Sequence, residues 1–154
     1  MNYQQQAIAG MNGVELIVAL YDGMVRFLYR AIQAIEANDA HERRVAIKRT
    51  LDILMHLQSR LKMDIGGTSA KALSEFYAAI FALCIEGSRL SSADRLKEAI
   101  ACIRDVREAW HVVSQDPAVL RLLAEEQGKQ TMHVSIPASI PAMNEPAASS
   151  SWTA

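Results

Sequence analysis

Leu16-Ile17-Val18-Ala19-Leu20-Tyr21-Asp22-Gly23-Met24-Val25-Arg26-Phe27-Leu28 is apolar around most of its circumference when wound as an α-helix. A surface helix needs a single apolar stripe about 100° wide. This segment carries two. Val14, Ile17, Tyr21, Met24, Leu28 and Ile35 form one, and Leu16, Leu20, Gly23 and Phe27 form the next. Glu15, Asp22, Arg26, Tyr29 and Gln33 leave only a narrow polar seam. Such a helix sits at the centre of a bundle or offers an apolar groove to a partner.

Outward from this helix the same period recurs. The first helix is predicted over 13–37, with Asn12 and Glu15 as a capping box. Asn38-Asp39-Ala40 breaks it. A second helix is predicted over 41–63 on Ile47, Leu51, Ile53, Leu54, Leu57 and Leu61. Met63, Ile65, Gly66 and Gly67 read as a structural turn ending it, because paired glycines permit left-handed conformations. Thr68 or Ser69 then caps a third helix to Leu90, carried by Leu73, Tyr77, Ile80 and Cys84, with Phe76 and Leu83 alongside and Phe81 and Ile85 widening the face.

Ser91-Ser92 reads as a turn with a fresh N-cap. The fourth helix, 93–114, repeats Leu96, Ala99, Ile103, Val106, Trp110 and Val113. Asp116-Pro117 reads as N-cap plus first-turn proline of a short fifth helix reaching 126. Short connections imply antiparallel neighbours, so the fold class is all-α, an up-and-down four-helix bundle. Residues 1–12 form an arm, 13–126 the bundle domain, and 127–154 a disordered tail in which Ser135-Ile136-Pro137-Ala138 repeats as Ser139-Ile140-Pro141-Ala142.

Composition excludes several functions. Sixteen Lys and Arg against seventeen Asp and Glu leave no basic excess for nucleic acid. No apolar run reaches the length of a membrane span, and the N-terminus lacks a secretory n-region. Cys84 and Cys102 read as small buried hydrophobes, which fits a cytoplasmic address. A carboxylate-bridged metal pair needs two Glu-x-x-His motifs, and only Glu108-Ala109-Trp110-His111 is present. No phosphate loop, nucleophile elbow or dinucleotide fingerprint occurs. The reading is therefore a non-enzyme with no metal and no cofactor. Arg43, Arg44, Lys48 and Arg49 read mainly as a solvated face. Tyr21-Asp22-Gly23 stays open between internal packing and partner docking, since a helical glycine costs about 1 kcal/mol relative to alanine and usually marks close approach.

Leu20-Tyr21-Asp22-Gly23-Met24-Val25-Arg26-Phe27-Leu28 resembles a signature of the flagellar secretion chaperone family, FliS. Leu61-Lys62-Met63-Asp64-Ile65-Gly66-Gly67, Ala70-Lys71-Ala72-Leu73 with Tyr77, Arg107-Glu108-Ala109-Trp110 and Tyr3 are similar to further motifs of that family, in the same order. Gly10-Met11-Asn12-Gly13 departs from the family's Thr/Ser-x-Ser-Pro segment, and the tail has no family motif.

The resemblance implies a cytosolic chaperone that binds the C-terminal polymerisation segment of flagellin, blocks premature assembly and delivers the subunit for export. It implies substrate binding through Leu16, Leu20, Tyr21, Gly23 and Met24, with Tyr3 and Ile8 of the arm as a plug. Export-gate and regulatory proteins are further expected partners, as is a homodimer without substrate. An adaptor for a different amphipathic helix is the alternative.

Overall fold

The computed structural model describes residues 13–61 and 63–118, with scattered positions from there to 128; of residues 62–68 only the helical backbone from 63 onward is described. Four helices follow one another: α1 (Gly13–Glu36), α2 (Ala40–Ser59), α3 (Met63–Arg89) and α4 (Ala93–Ser114). Each packs on its chain neighbours, and α4 closes back on α1. The bundle is thus cyclic, with α1 and α3 diagonal to each other.

Local chemistry sets the turns. In the turn after α1, Asn38 takes φ 53, a conformation that asparagine tolerates better than most side chains. Asp39 caps α2 by accepting the Glu42 N–H at 3.0 Å. At the same end of the bundle Ser91 takes φ 48 and Ser92 caps α4, accepting the Arg95 N–H at 3.3 Å. Arg43 ties the two turns together by donating to Ser91 Oγ at 2.9 Å. At the opposite end, Asp116 Oδ1 accepts the Ala118 N–H at 2.9 Å. Helical backbone resumes at 117, where the short fifth helix is predicted.

The second turn differs from the sequence expectation. α2 stops at Ser59, and the chain reverses at Arg60 and Leu61, whose N–H groups reach back to Leu57 and Gln58 carbonyls at 3.2 Å. α3 then starts at Met63 and runs straight through Ile65, Gly66, Gly67, Thr68 and Ser69. The four residues read as a turn are therefore the first turns of α3, and neither Thr68 nor Ser69 caps it. Glycine is permitted, not required, to leave the helix. The first four N–H groups of a helix have no internal partner, and the 27 residues of α3 outweigh two weak positions near its start. The Asn12 cap, with Tyr3 and Ile8, lies outside the described residues.

The core joins Tyr21, Met24, Leu28, Ala31 and Ile32 of α1 to Ala46, Ile47, Leu54 and Leu57 of α2. Tyr77, Ile80 and Cys84 of α3 and Leu96, Ala99, Ile100 and Ile103 of α4 complete it. Each fully buried Leu, Ile or Met contributes about 1.5–3 kcal/mol of apolar transfer. Apart from the two tyrosine hydroxyls described below, Thr50 is the buried polar side chain among the described residues, and it donates to the Ala46 carbonyl at 3.1 Å. Gly87 lets α4 approach α3: a Cβ there would stand 2.5 Å from Leu96 Cδ2. Gly23 faces α2 less tightly, with Ile53 Cδ1 at 3.3 Å from the equivalent point.

Candidate functional site

Three signature residues of α1 turn inward or sideways to hold the bundle. Tyr21 is fully buried, and its hydroxyl lies 2.8 Å from that of Tyr77, across the bundle diagonal. Trp110 Nε1 donates to the same Tyr21 oxygen at 3.2 Å. Phe76 completes an aromatic group, its ring centroid 6.4 Å from Tyr21 and 5.6 Å from Tyr77. Burial raises the pKa of both tyrosines, for Tyr21 against the lowering effect of its two hydrogen-bond partners, so both hydroxyls stay protonated.

One residue on, Asp22 receives a two-pronged ion pair from Arg107, Nε to Oδ1 at 2.9 Å and Nη2 to Oδ2 at 3.3 Å. The carboxylate raises the Arg107 pKa further. Gly23 is the close point against Ile53 of α2. Tyr21, Asp22 and Gly23 thus engage α3 and α4, α4, and α2 in turn.

This placement corrects part of the expected substrate surface. Tyr21, Gly23 and Met24 are buried in the bundle, so they shape its interior. Leu16 and Leu20 are half-buried, and Leu20 packs against the core edge. The stripe Val14, Tyr21, Met24 and Leu28 faces the core. The second stripe is not a free face either: Gly23 and Leu20 lean on neighbours because α1 is flanked by both α2 and α4.

An exposed apolar groove lies on the far side of the bundle from the α1–α4 surface, between the last turns of α2 and the first half of α3. Leu54, Met55, Gln58 and Ser59 form one wall, and Ser74, Tyr77, Ala78 and Phe81 the other, around a groove of about 480 Å³. Met55 is 65% exposed and Phe81 40%. Ile85, 43% exposed, extends the ledge by one helical turn. Gln58 Nε2 donates to Ser74 Oγ at 2.8 Å, an exposed polar bridge between the two walls. Phe81 and Ile85 were expected to widen the core face of α3; they point to solvent instead. Their excess over a single stripe was the available signal for this groove.

The surface between α1 and α4 has another character. Asp22, Arg26, Tyr29, Arg104, Arg107 and Glu108 line it with mixed charge. Arg104 sits over the Tyr29 ring at 5.4 Å. On α2, Lys48 pairs with Asp52 at 3.2 Å on an exposed face. Among the described residues no cluster of three His, Cys, Asp or Glu side chains could hold a metal, and no helix is long and apolar enough to cross a membrane.

Similarity to known proteins coincides with this architecture. Residues 1–117 match the family model described as flagellar protein FliS. The flagellar secretion chaperone FliS of Campylobacter jejuni is 33% identical over 119 residues, covering 77% of this chain and 93% of that protein. The flagellar secretion chaperone FliSB of Pseudomonas aeruginosa is 27% identical, over 73% of this chain and 92% of its own length. That of Bacillus subtilis is 24% identical, over 70% and 80%. With its signature residues joined across four helices and its match spanning the whole bundle, the chain belongs to the FliS family of flagellar secretion chaperones.

Proposed function

We propose that this protein is a cytoplasmic export chaperone that binds the C-terminal polymerisation segment of flagellin, and that the α2–α3 groove takes one amphipathic helix of that segment. The observation that supports this reading is the ledge of Met55, Phe81 and Ile85, exposed on a member of a secretion chaperone family. An amphipathic helix docks by laying anchors at i, i+3, i+4 and i+7 into such a groove. Ordering a disordered segment costs about 2–5 kcal/mol, so binding needs a wrapped area larger than one groove. Leu16 and Leu20 lie at the start of α1 and supply a second, smaller contact. Tyr3 and Ile8 of the arm cover that second contact when substrate is absent.

The role is binding, not catalysis. Holding the segment keeps flagellin from polymerising before export, and export-gate or regulatory proteins would meet the loaded chaperone. A homodimer without substrate is part of the same proposal. Calorimetric titration with a flagellin C-terminal peptide tests the reading. It predicts saturable binding with a clearly negative heat-capacity change. Affinity no better than for an unrelated amphipathic helix would favour a general helix adaptor instead.

A further inference from the structure

We propose that residues 134–143, anchored by Ile136 and Ile140, dock in the α2–α3 groove of their own chain and compete there with the incoming segment; the competition rests on the function proposed above, the docking does not. The chain path favours this occupant. The groove is built from the last turns of α2 and the first half of α3. Trp110 of α4 lies in the same layer as Tyr77, through Tyr21. The chain therefore leaves α4, at Ser114, from the end of the bundle where the groove opens. One neighbouring helix separates them, about 8–10 Å between axes. Ile136 lies twenty-two residues after Ser114 along the chain, and the last eight of them alone can extend up to about 26 Å.

The composition of the segment suits the groove. Ile136 and Ile140 each precede a proline, which holds them in extended conformation. In that conformation they stand about 12 Å apart. Ser74 to Phe81 on the α3 wall spans about 10 Å along the helix axis. Each proline also removes an N–H that an apolar groove would leave without a partner. The preset backbone lowers the ordering cost. Met55 and Phe81 supply the apolar contact, and Gln58 and Ser59 the polar edge. The segment lies beyond the residues matched by the family model, 1–117, so this device is an addition of this chain to the shared bundle.

Methionine-methyl NMR tests the docking. Among the described residues every core residue precedes Gln127, so a chain ending there should keep its bundle, and the double variant Ile136→Ser/Ile140→Ser in the whole chain is an independent control. The Met55 methyl resonance of the full chain should differ from that of both variants, and adding a peptide of residues 129–154 to the truncated chain should restore it. An identical Met55 resonance in all three proteins overturns the docking. Calorimetry with a flagellin C-terminal peptide tests the competition. Both variants should bind about two- to tenfold tighter than the full chain, the range set by a millimolar effective concentration acting on a weak contact. Equal affinities in all three overturn the competition. If no form binds the peptide, the proposed function fails, while Met55 still decides whether the tail docks.

Discussion

Tyr21 Oη and Tyr77 Oη meet 2.8 Å apart at the centre of the bundle, joining α1 to α3 across the diagonal. The Tyr21 oxygen also accepts from Trp110, so one hydroxyl links three of the four helices. Losing it strands buried polar groups, which costs more than the bond itself contributes. Tyr21→Phe should therefore destabilise the fold by about 1–3 kcal/mol. Tyr77→Phe should cost less, about 1 kcal/mol, because Trp110 keeps its acceptor. Urea unfolding of both single variants and the double variant measures this. Additive losses in the double variant would show that the two hydroxyls are not coupled.

The neighbouring ion pair should matter far less. The Arg107 and Asp22 side chains are 30% and 48% exposed, so water screens them. Asp22→Asn should cost no more than about 1 kcal/mol despite the two-pronged geometry. That loss should shrink in 0.5 M salt. A cost above that of Tyr21→Phe would reverse the ranking of the two interactions.

Glycine positions separate two kinds of close approach. Gly87→Ala drives a methyl into Leu96, which is fully buried and has nowhere to go. It should destabilise by about 1–3 kcal/mol. Gly23→Ala meets only the tip of the half-buried Ile53 side chain, which can turn aside. The gain in helix propensity, up to about 1 kcal/mol, then leaves it neutral or slightly stabilising. Thermal unfolding of the pair should show a lower midpoint for Gly87→Ala and an unchanged or higher one for Gly23→Ala.

Alkaline pH should unfold the bundle. Burial pushes the Cys84 thiol from 9.0 up to about 12, and burial likewise pushes Tyr21 and Tyr77 above the ordinary tyrosine value of 10.0. In each case the folded state holds its proton more tightly than the unfolded chain. The stabilisation is complete below pH 9 and is lost as pH rises, first through Cys84 and then above pH 10 through the tyrosines. For Cys84 alone the loss is at most about 4 kcal/mol by pH 12. Circular dichroism should stay flat to about pH 9 and fall beyond it. At pH 8 a thiol reagent should reach half-buried Cys102 and spare buried Cys84. Rapid labelling of Cys84 in the folded protein would contradict its placement.

How much of this was legible in the sequence follows from which physics is local. The breaks at Asp39, Ser92 and Asp116 were readable because a cap is satisfied within three residues of itself. The helical period placed Ile47, Leu54, Ile80, Leu96 and Ile103 in the core. Gly66-Gly67 misleads because glycine marks where a chain is free to turn, while the turn itself is made directly after Ser59, at Arg60 and Leu61. For Tyr21, Gly23 and Met24 periodicity leaves packing and docking open, because it registers two apolar stripes without registering that α1 has helices on both flanks; the substrate role rests on the resemblance alone. Conversely, Phe81 and Ile85 read as core width. Their exposure depends on how far apart α2 and α3 stand, which no single helix encodes.

The α2–α3 groove as the flagellin site is the central claim, and Phe81 tests it most directly. Phe81 is 40% exposed and lies on the groove wall, so Phe81→Glu should leave the melting temperature within about 2 °C of the parent. Calorimetric titration of the flagellin C-terminal peptide should then show at least about tenfold weaker binding, because a charge replaces an apolar anchor. Unchanged affinity in a variant that melts like the parent would contradict the groove assignment.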